Sequence, residues 1–192
     1  ELGHYVPEVF INRNTASEEM CALSKEALKN KTRKDDHVGI GYFSGSLTHN
    51  DDFELVLPAL TKVMEKYPQV QLHVVGELDL PEALQQYKAR VVSHPFVDWK
   101  KLPSLIAEVD INLAPLEQSI FNEAKSENKW VEAALVKVPT VASNVGAFQR
   151  MIVSGETGIL CDTEEEWVEQ LSRLVEDKKE RDRIAENAHR YC

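Results

Sequence analysis

Residues 38–76 read VGIGYFSGSLTHNDDFELVLPALTKVMEKYPQVQLHVVG, and this stretch decides the fold class. It opens with an apolar run, Val38 to Phe43, and passes through the small polar turn Ser44-Gly45-Ser46. Apolar residues then recur at helical spacing from Asp51, the predicted N-cap, to Tyr67, where Pro68 stops the helix. A second run, Val70 to Val75, follows and ends at Gly76. Short runs without polar alternation predict strands covered on both faces. Joined by an amphipathic helix, two such strands lie parallel.

The same rhythm extends outward. Toward the C-terminus it predicts a short helix over 80–88, opening near Pro81, a strand over 90–93, a helix over 100–108 and a strand over 111–113. A helix over 125–136, a strand over 140–142, a short helix near Ala147, a strand at Ile159-Leu160 and helices over 164–176 and 179–191 complete the series. Toward the N-terminus, residues 1–36 read as a lead-in: an extended piece from His4 to Ile11, a helix over 16–29 and a polar break from Asn30 to Asp36. The fold class is α/β, a doubly wound, Rossmann-like parallel sheet over 37–192. In such sheets ligands bind beyond the carboxyl ends of the strands, where the strand order reverses. The loops to inspect are therefore Ser44–Asn50, Gly76–Asp79, His94–Trp99 and Ala114–Ala124.

Length and charge narrow the function classes. A chain of 192 residues fits one domain, and its 43% hydrophobic and 28% charged content is ordinary for a globular protein. The net charge of -10 argues against a nucleic acid partner, which needs clustered Lys and Arg. A small phosphorylated ligand remains compatible, because it feels only charges and dipoles within about 8 Å. No apolar run approaches a bilayer span. Cys21, Cys161 and Cys192 are sparse and far apart, the usage of a reducing, cytoplasmic compartment. No Asp-X-Asp and no paired His or Cys with ligand spacing occurs, so no metal is expected. His73 and His94 read as structural, and Trp99 and Trp167 as core or helix-packing residues.

The chemistry concentrates in two loops and one helix start. Gly45 lets the backbone of the first loop approach a ligand, with free amides for a phosphate. The loop is neither G-x-G-x-x-G nor a P-loop, which weakens both readings. In the stretch Phe121 to Ala134, a helix starting near Lys125 would bury Trp130, Val131, Ala134 and Leu135. It would also align Lys125, Lys129 and Glu132 on one stripe. Lys125, Ser126 and the first-turn amides then form an anion site at the helix's positive end. Two lysines there oppose the dipole by about 0.3–1 kcal/mol each, a conflict that a bound anion removes. The alternative is a solvated face of ordinary Lys–Glu pairs. Glu132 suits a ribose diol, or else pairs with Lys129. The loop His94 to Trp99 offers backbone groups and an apolar wall to a base.

The run Lys125-Ser126-x-x-Lys129-x-x-Glu132-Ala133-Ala134, followed by Val138-Pro139-Thr140-Val141-Ala142-Ser143 and Gly146, resembles the donor-site helix of group 1 glycosyltransferases (family 4, GT-B fold). Gly39–Ser46, Val75-Gly76, Pro95-Phe96-Val97, Ala107–Pro115 and Gly155–Leu160 agree with the same family in order, and the resemblance spans about residues 38 to 190. It implies the C-terminal, donor-binding domain of such an enzyme, holding a UDP-, GDP- or ADP-linked sugar with no metal or other cofactor. Glu132 matches the family glutamate on the ribose, and Lys125, Ser126 and Lys129 match the diphosphate-binding helix start. Gly45 and Ser46 match the loop beneath the phosphates, with His49 in the same region. Val97 lies where backbone groups meet the base. Asn122 and Glu123 lie near the acidic position over the donor sugar, which makes Glu123, with Lys129, the catalytic candidate. The sequence departs from the pattern there. The spacing of the usual glutamate pair puts Ala124 at the first position, with Glu123 one residue early.

The resemblance also implies that residues 1–36 are an interdomain lead-in, with Val9 to Asn14 the end of the connection. An N-terminal domain carrying a glycan or lipid-linked acceptor would precede it, and the isolated piece would transfer nothing. The setting implied is glycan biosynthesis in the cytoplasm, with membrane association of the longer protein. A non-catalytic nucleotide-binding module and a GT-B nucleotide-sugar epimerase are the alternatives.

Overall fold

The computed structural model describes residues 5–6, 8, 14–31, 37–44, 50–76, 78 and 80–192. Residues 9–13 of the expected connection, and Gly45, Ser46 and His49, lie outside the described residues.

Six strands form one parallel sheet: β1 (Val38–Phe43), β2 (Val70–Val75), β3 (Val91–His94), β4 (Ile111–Ala114), β5 (Thr140–Ser143) and β6 (Ile159–Cys161). Their spatial order is β3-β2-β1-β4-β5-β6, so the chain reverses direction across the sheet between β1 and β4. The α-helices are α1 (Glu18–Asn30), α2 (Asn50–Lys66), α3 (Leu102–Ala107), α4 (Ile120–Glu123), α5 (Asn128–Leu135), α6 (Gly146–Met151), α7 (Glu164–Glu176) and α8 (Lys178–Tyr191), of which α2 to α6 lie between strands. The doubly wound α/β expectation holds.

Both faces of the sheet are covered, as the unbroken apolar strands require. Alternate residues Ile40, Tyr42, Leu72 and Val74 pack with Phe53 and Leu60 of α2 and Trp167 and Leu171 of α7. The opposite residues Phe43 and Val75 meet Ile106, Val109, Ala133 and Val136 beside α3 and α5. Side-chain groups tie the helix ends to this frame. Arg90 donates to the carbonyls of Met64, Tyr67 and Val70 at 2.7, 3.0 and 3.2 Å, which satisfies the last turn of α2 and the entry to β2. The buried Arg181 does the same for Leu174 and Val175 at the end of α7.

Three expectations need correction. The helix expected to begin at Lys125 begins at Asn128. A separate turn, α4, absorbs the preceding residues: Ser119 caps it through the Asn122 N–H at 3.1 Å, and Lys125 N–H closes onto the Asn122 carbonyl at 3.1 Å. Lys125 and Ser126 are therefore loop residues, and the first-turn amides of a helix starting at Lys125 do not exist. The helices expected over 80–88 and 100–108 are partly 3-10: Glu82–Arg90, and a turn at Trp99–Lys101 that precedes α3. Trp99 is not a core residue, for it is 42% exposed, whereas Trp167 is buried.

Candidate functional site

A crevice of about 870 Å³ opens at the carboxyl edge of the sheet. It lies where the paths from β1 and β4 diverge, the position at which open α/β sheets bind ligands. The volume falls within the range of small-molecule sites. Ser44 at the exit of β1, Pro115 and Leu116 after β4, Ala124 to Ser126 before α5, and Asn128 and Lys129 within it form its inner wall. Phe96, Val97 and Trp99 from the loop after β3 form the outer wall, and Glu132 and Asn14 border it as well.

The inner wall is built on buried polar anchors. Asn112 on β4 donates to the Lys129 carbonyl at 3.1 Å and to Thr140 Oγ1 at 3.0 Å, and so fixes the start of α5 against β4 and β5. Ser143 Oγ accepts the Leu116 N–H at 2.9 Å, and Asp52 in α2 accepts the Glu117 N–H at 2.9 Å. Trp130, 1% exposed, donates from Nε1 to the Thr157 carbonyl at 2.7 Å and pins the far face of α5. At the mouth of β2, Gly76 has φ +111°, and an added Cβ would stand 2.3 Å from the Ser44 carbonyl oxygen. Only glycine fits that close approach.

Charge is arranged around Lys129. Its ammonium donates to the Phe43 carbonyl at the end of β1 and lies 4.8 Å from the Tyr42 ring centroid. It turns across the sheet edge instead of pairing with Glu132. Burial of the ammonium pushes Lys129 down to about 8, against the opposing pull of Glu132 and Asp52. Burial also raises Glu132 above the usual carboxylate range, with Lys129 acting the other way. The Glu132 carboxylate makes no hydrogen bond or ion pair among the described residues. Lys125, with its side chain 26% exposed, faces Asp52 at 3.4 Å.

Lys125, Ser126, Lys129, Glu132 and Val97 thus come together around one crevice. Asn122 and Glu123 do not line it. Asn122 is buried and donates to the Glu117 carbonyl at 2.7 Å, while Glu123 turns to Arg150 at 3.5 Å. Ala124, the position the glutamate spacing selects, does line it. Sequence reading passed over Asp52, and it placed Trp99 in the core as well as at the end of the loop offered to a base. Asp52 was hidden by Asp51 as the apparent helix cap, and Trp99 by the habit of assigning tryptophan to a core. Asp98, which accepts the Lys100 N–H at 2.9 Å, was the available sign that Trp99 opens a capped turn. Among the described residues no group of three or more His, Cys, Asp or Glu can hold a metal ion. No helix among them is long and apolar enough to cross a membrane.

An all-parallel sheet with a crevice at its switch point defines a doubly wound, Rossmann-like class of α/β protein. Within that class, residues 39–177 match the family model described as glycosyl transferases group 1, and the chain belongs to that family. The C-terminal domain of a glycosyl transferase group 1 family protein (LpcC) from Francisella tularensis is similar over 91% of each chain, with 21% identity and a TM-score of 0.60. WaaG, a glycosyltransferase of lipopolysaccharide biosynthesis, is 20% identical over 92% of this chain and 47% of its own, with a TM-score of 0.66. The Anabaena protein HepE, solved with UDP-glucose, is 21% identical over 92% of this chain and 48% of its own, with a TM-score of 0.63. A D-inositol 3-phosphate glycosyltransferase of Corynebacterium urealyticum is 23% identical in a match that covers 78% of this chain and 38% of that protein. The chain thus spans less than half of the length of these full-length relatives. The fold is that of the C-terminal domain of a GT-B glycosyltransferase.

Proposed function

We propose that this chain is the donor-binding domain of a glycosyltransferase and holds a nucleotide-diphosphate sugar in the crevice between the exits of β1 and β4. The carrying observation is the convergence of Lys125, Ser126, Lys129, Glu132 and Val97 on that one crevice. Lys125, Ser126 and Lys129 take the diphosphate. Glu132, whose carboxylate lacks a partner among the described residues, accepts the ribose hydroxyls, and the backbone at Val97 meets the base. When the bond from the sugar's anomeric carbon to the diphosphate oxygen breaks, the two ammonium groups balance the charge left on the departing diphosphate. The nucleotide sugar is a substrate, with no other cofactor required.

HepE in complex with UDP-glucose makes UDP the first nucleotide to test. Residues 1–36 are proposed as the lead-in from an acceptor-binding domain in a longer protein, and transfer to a glycan or lipid-linked acceptor as the activity of that protein. Calorimetric titration of the chain with UDP, GDP and ADP tests the reading: one of them should bind at micromolar to millimolar concentration, and silence toward all three overturns it. In a protein that includes the remaining half, donor consumption supports transfer, and binding without turnover supports a nucleotide-binding module.

A further inference from the structure

Beside the crevice stands a carboxylate that the binding scheme above does not use. Asp52, 4% exposed, sits in the first turn of α2. Its Oδ1 accepts the Glu117 N–H at 2.9 Å, which fixes the carboxylate to the loop after β4. Its Oδ2 faces Lys125 Nζ at 3.4 Å. An acid so close to an anion subsite has one of two opposite effects. It either competes with the diphosphate for Lys125, or it holds Lys125 ready for it.

The placement decides between them. Lys125 lines the crevice and Asp52 does not, so Lys125 is the member of the pair that a bound diphosphate would meet. The hydrogen bond donated by the Glu117 N–H holds the carboxylate to the loop after β4. A lysine ammonium has three donors, and a single contact to Asp52 leaves two for phosphate oxygens. The Phe121 ring, 5.4 Å from Lys125 Nζ, closes another side of the ammonium. These two contacts restrict the positions open to the Lys125 ammonium at the crevice, which reduces the ordering lost on binding.

We infer that Asp52 is a positioning residue of the diphosphate subsite, acting through Lys125 and through its field on Lys129. The inference rests on the donor-binding reading and deepens it. Around Lys129 stand Asp52 on α2, Glu132 on α5, Lys125 in the preceding loop, and the Tyr42 ring and Phe43 carbonyl on β1. Of these, Asp52 and Glu132 favour the charged ammonium and Lys125 opposes it, so removing the charge of Asp52 makes Lys129 lose its proton at lower pH.

The test is Asp52→Asn, which keeps an oxygen for the Glu117 N–H and loses the charge. Titration with UDP across the neutral to alkaline range should show affinity about tenfold weaker at neutral pH, the scale of one lost charge-assisted contact. The pH at which binding weakens should also move down. In a Lys125→Gln background, the effect of D52N below neutral pH should shrink to within about twofold, because coupled residues share one loss. Unchanged affinity and pH profile, even with a lowered melting temperature, would make Asp52 purely structural and overturn the inference. Tighter binding by D52N would make it a competitor and overturn it too. Should D52N not fold, Asp52→Glu replaces it: weaker binding with an unmoved pH profile is expected, and wild-type affinity overturns the inference. Wild-type chain that binds no nucleoside diphosphate overturns the donor-binding reading itself. Wild-type binding with an indifferent D52N overturns only the role of Asp52.

Discussion

A diphosphate entering the crevice should take up a proton with it, and Lys129 supplies the magnitude. In the unliganded chain its ammonium titrates at about 8, because burial outweighs the attraction of Glu132 and Asp52. A single negative charge about 5 Å away contributes roughly 3 kcal/mol at an effective dielectric of ~20, or about 2 pKa units. Bound Lys129 would then stay charged well above about pH 9. Subtracting the charged fractions gives uptake of about 0.1 proton per site near pH 7, about 0.5 near pH 8 and about 0.8 near pH 9. The UDP phosphates, with a last pKa of about 6, are ionised by pH 8 and do not mask the effect there. Calorimetric titration in buffers of different ionisation enthalpy reads the number directly. Lys129→Met should abolish the uptake. UDP binding near pH 8 with an enthalpy independent of the buffer would refute the argument, since it would leave Lys129 out of contact with the diphosphate. The same lysine acts on the empty fold. Its pKa is lowered from 10.5 to about 8, so its burial destabilises the fold while it is charged in both states, and that penalty is relieved as pH rises through the window between those values.

Three further outcomes are expected. Glu132→Ala should weaken UDP binding by about tenfold or more and leave the melting temperature within a degree or two, because no bond among the described residues is lost. A large fall in melting temperature with intact binding would assign Glu132 to the fold. UDP should quench tryptophan emission through Trp99, since Trp130 and Trp167 are 1% and 4% exposed. The quench should vanish in Trp99→Ala, and its persistence there would place the base away from the loop after β3. Trp130→Ala should cost about 3–5 kcal/mol, because it empties a buried site and strands the Thr157 carbonyl. For a chain of this size the melting temperature should fall by about 6–20 °C in a thermal scan, and a drop of only a degree or two would contradict the packing of α5.

How much of this was legible in advance follows from the range of the forces involved. β1, α2 and β2 were readable within a residue or two because apolar period, cap and proline stop are local signals, and they agree along residues 38–76. The start of α5 was misplaced by three residues for the converse reason. Lys125 to Glu127 have no local feature that forbids helix, and the break comes from the Ser119 cap and the Asn122 turn of α4 upstream. Trp99 was misread because its exposure depends on which element ends beside it. Its composition could not say.

Strand and helix periodicity, with the ordered series of motifs from Val38 to Leu160, were enough by themselves to set the α/β class and the family. They also marked Lys125, Ser126, Lys129, Glu132 and Val97 as residues of interest. Only the tertiary structure decided where those side chains turn. It carried Lys129 across to the Phe43 carbonyl and left Glu132 without a partner among the described residues. It set Asp52 beside Lys125 and sent Glu123 to Arg150. Burial and pairing between residues tens of positions apart depend on the packing of β1 against β4 and of α2 against the loop that follows. A local pattern carries no record of either contact.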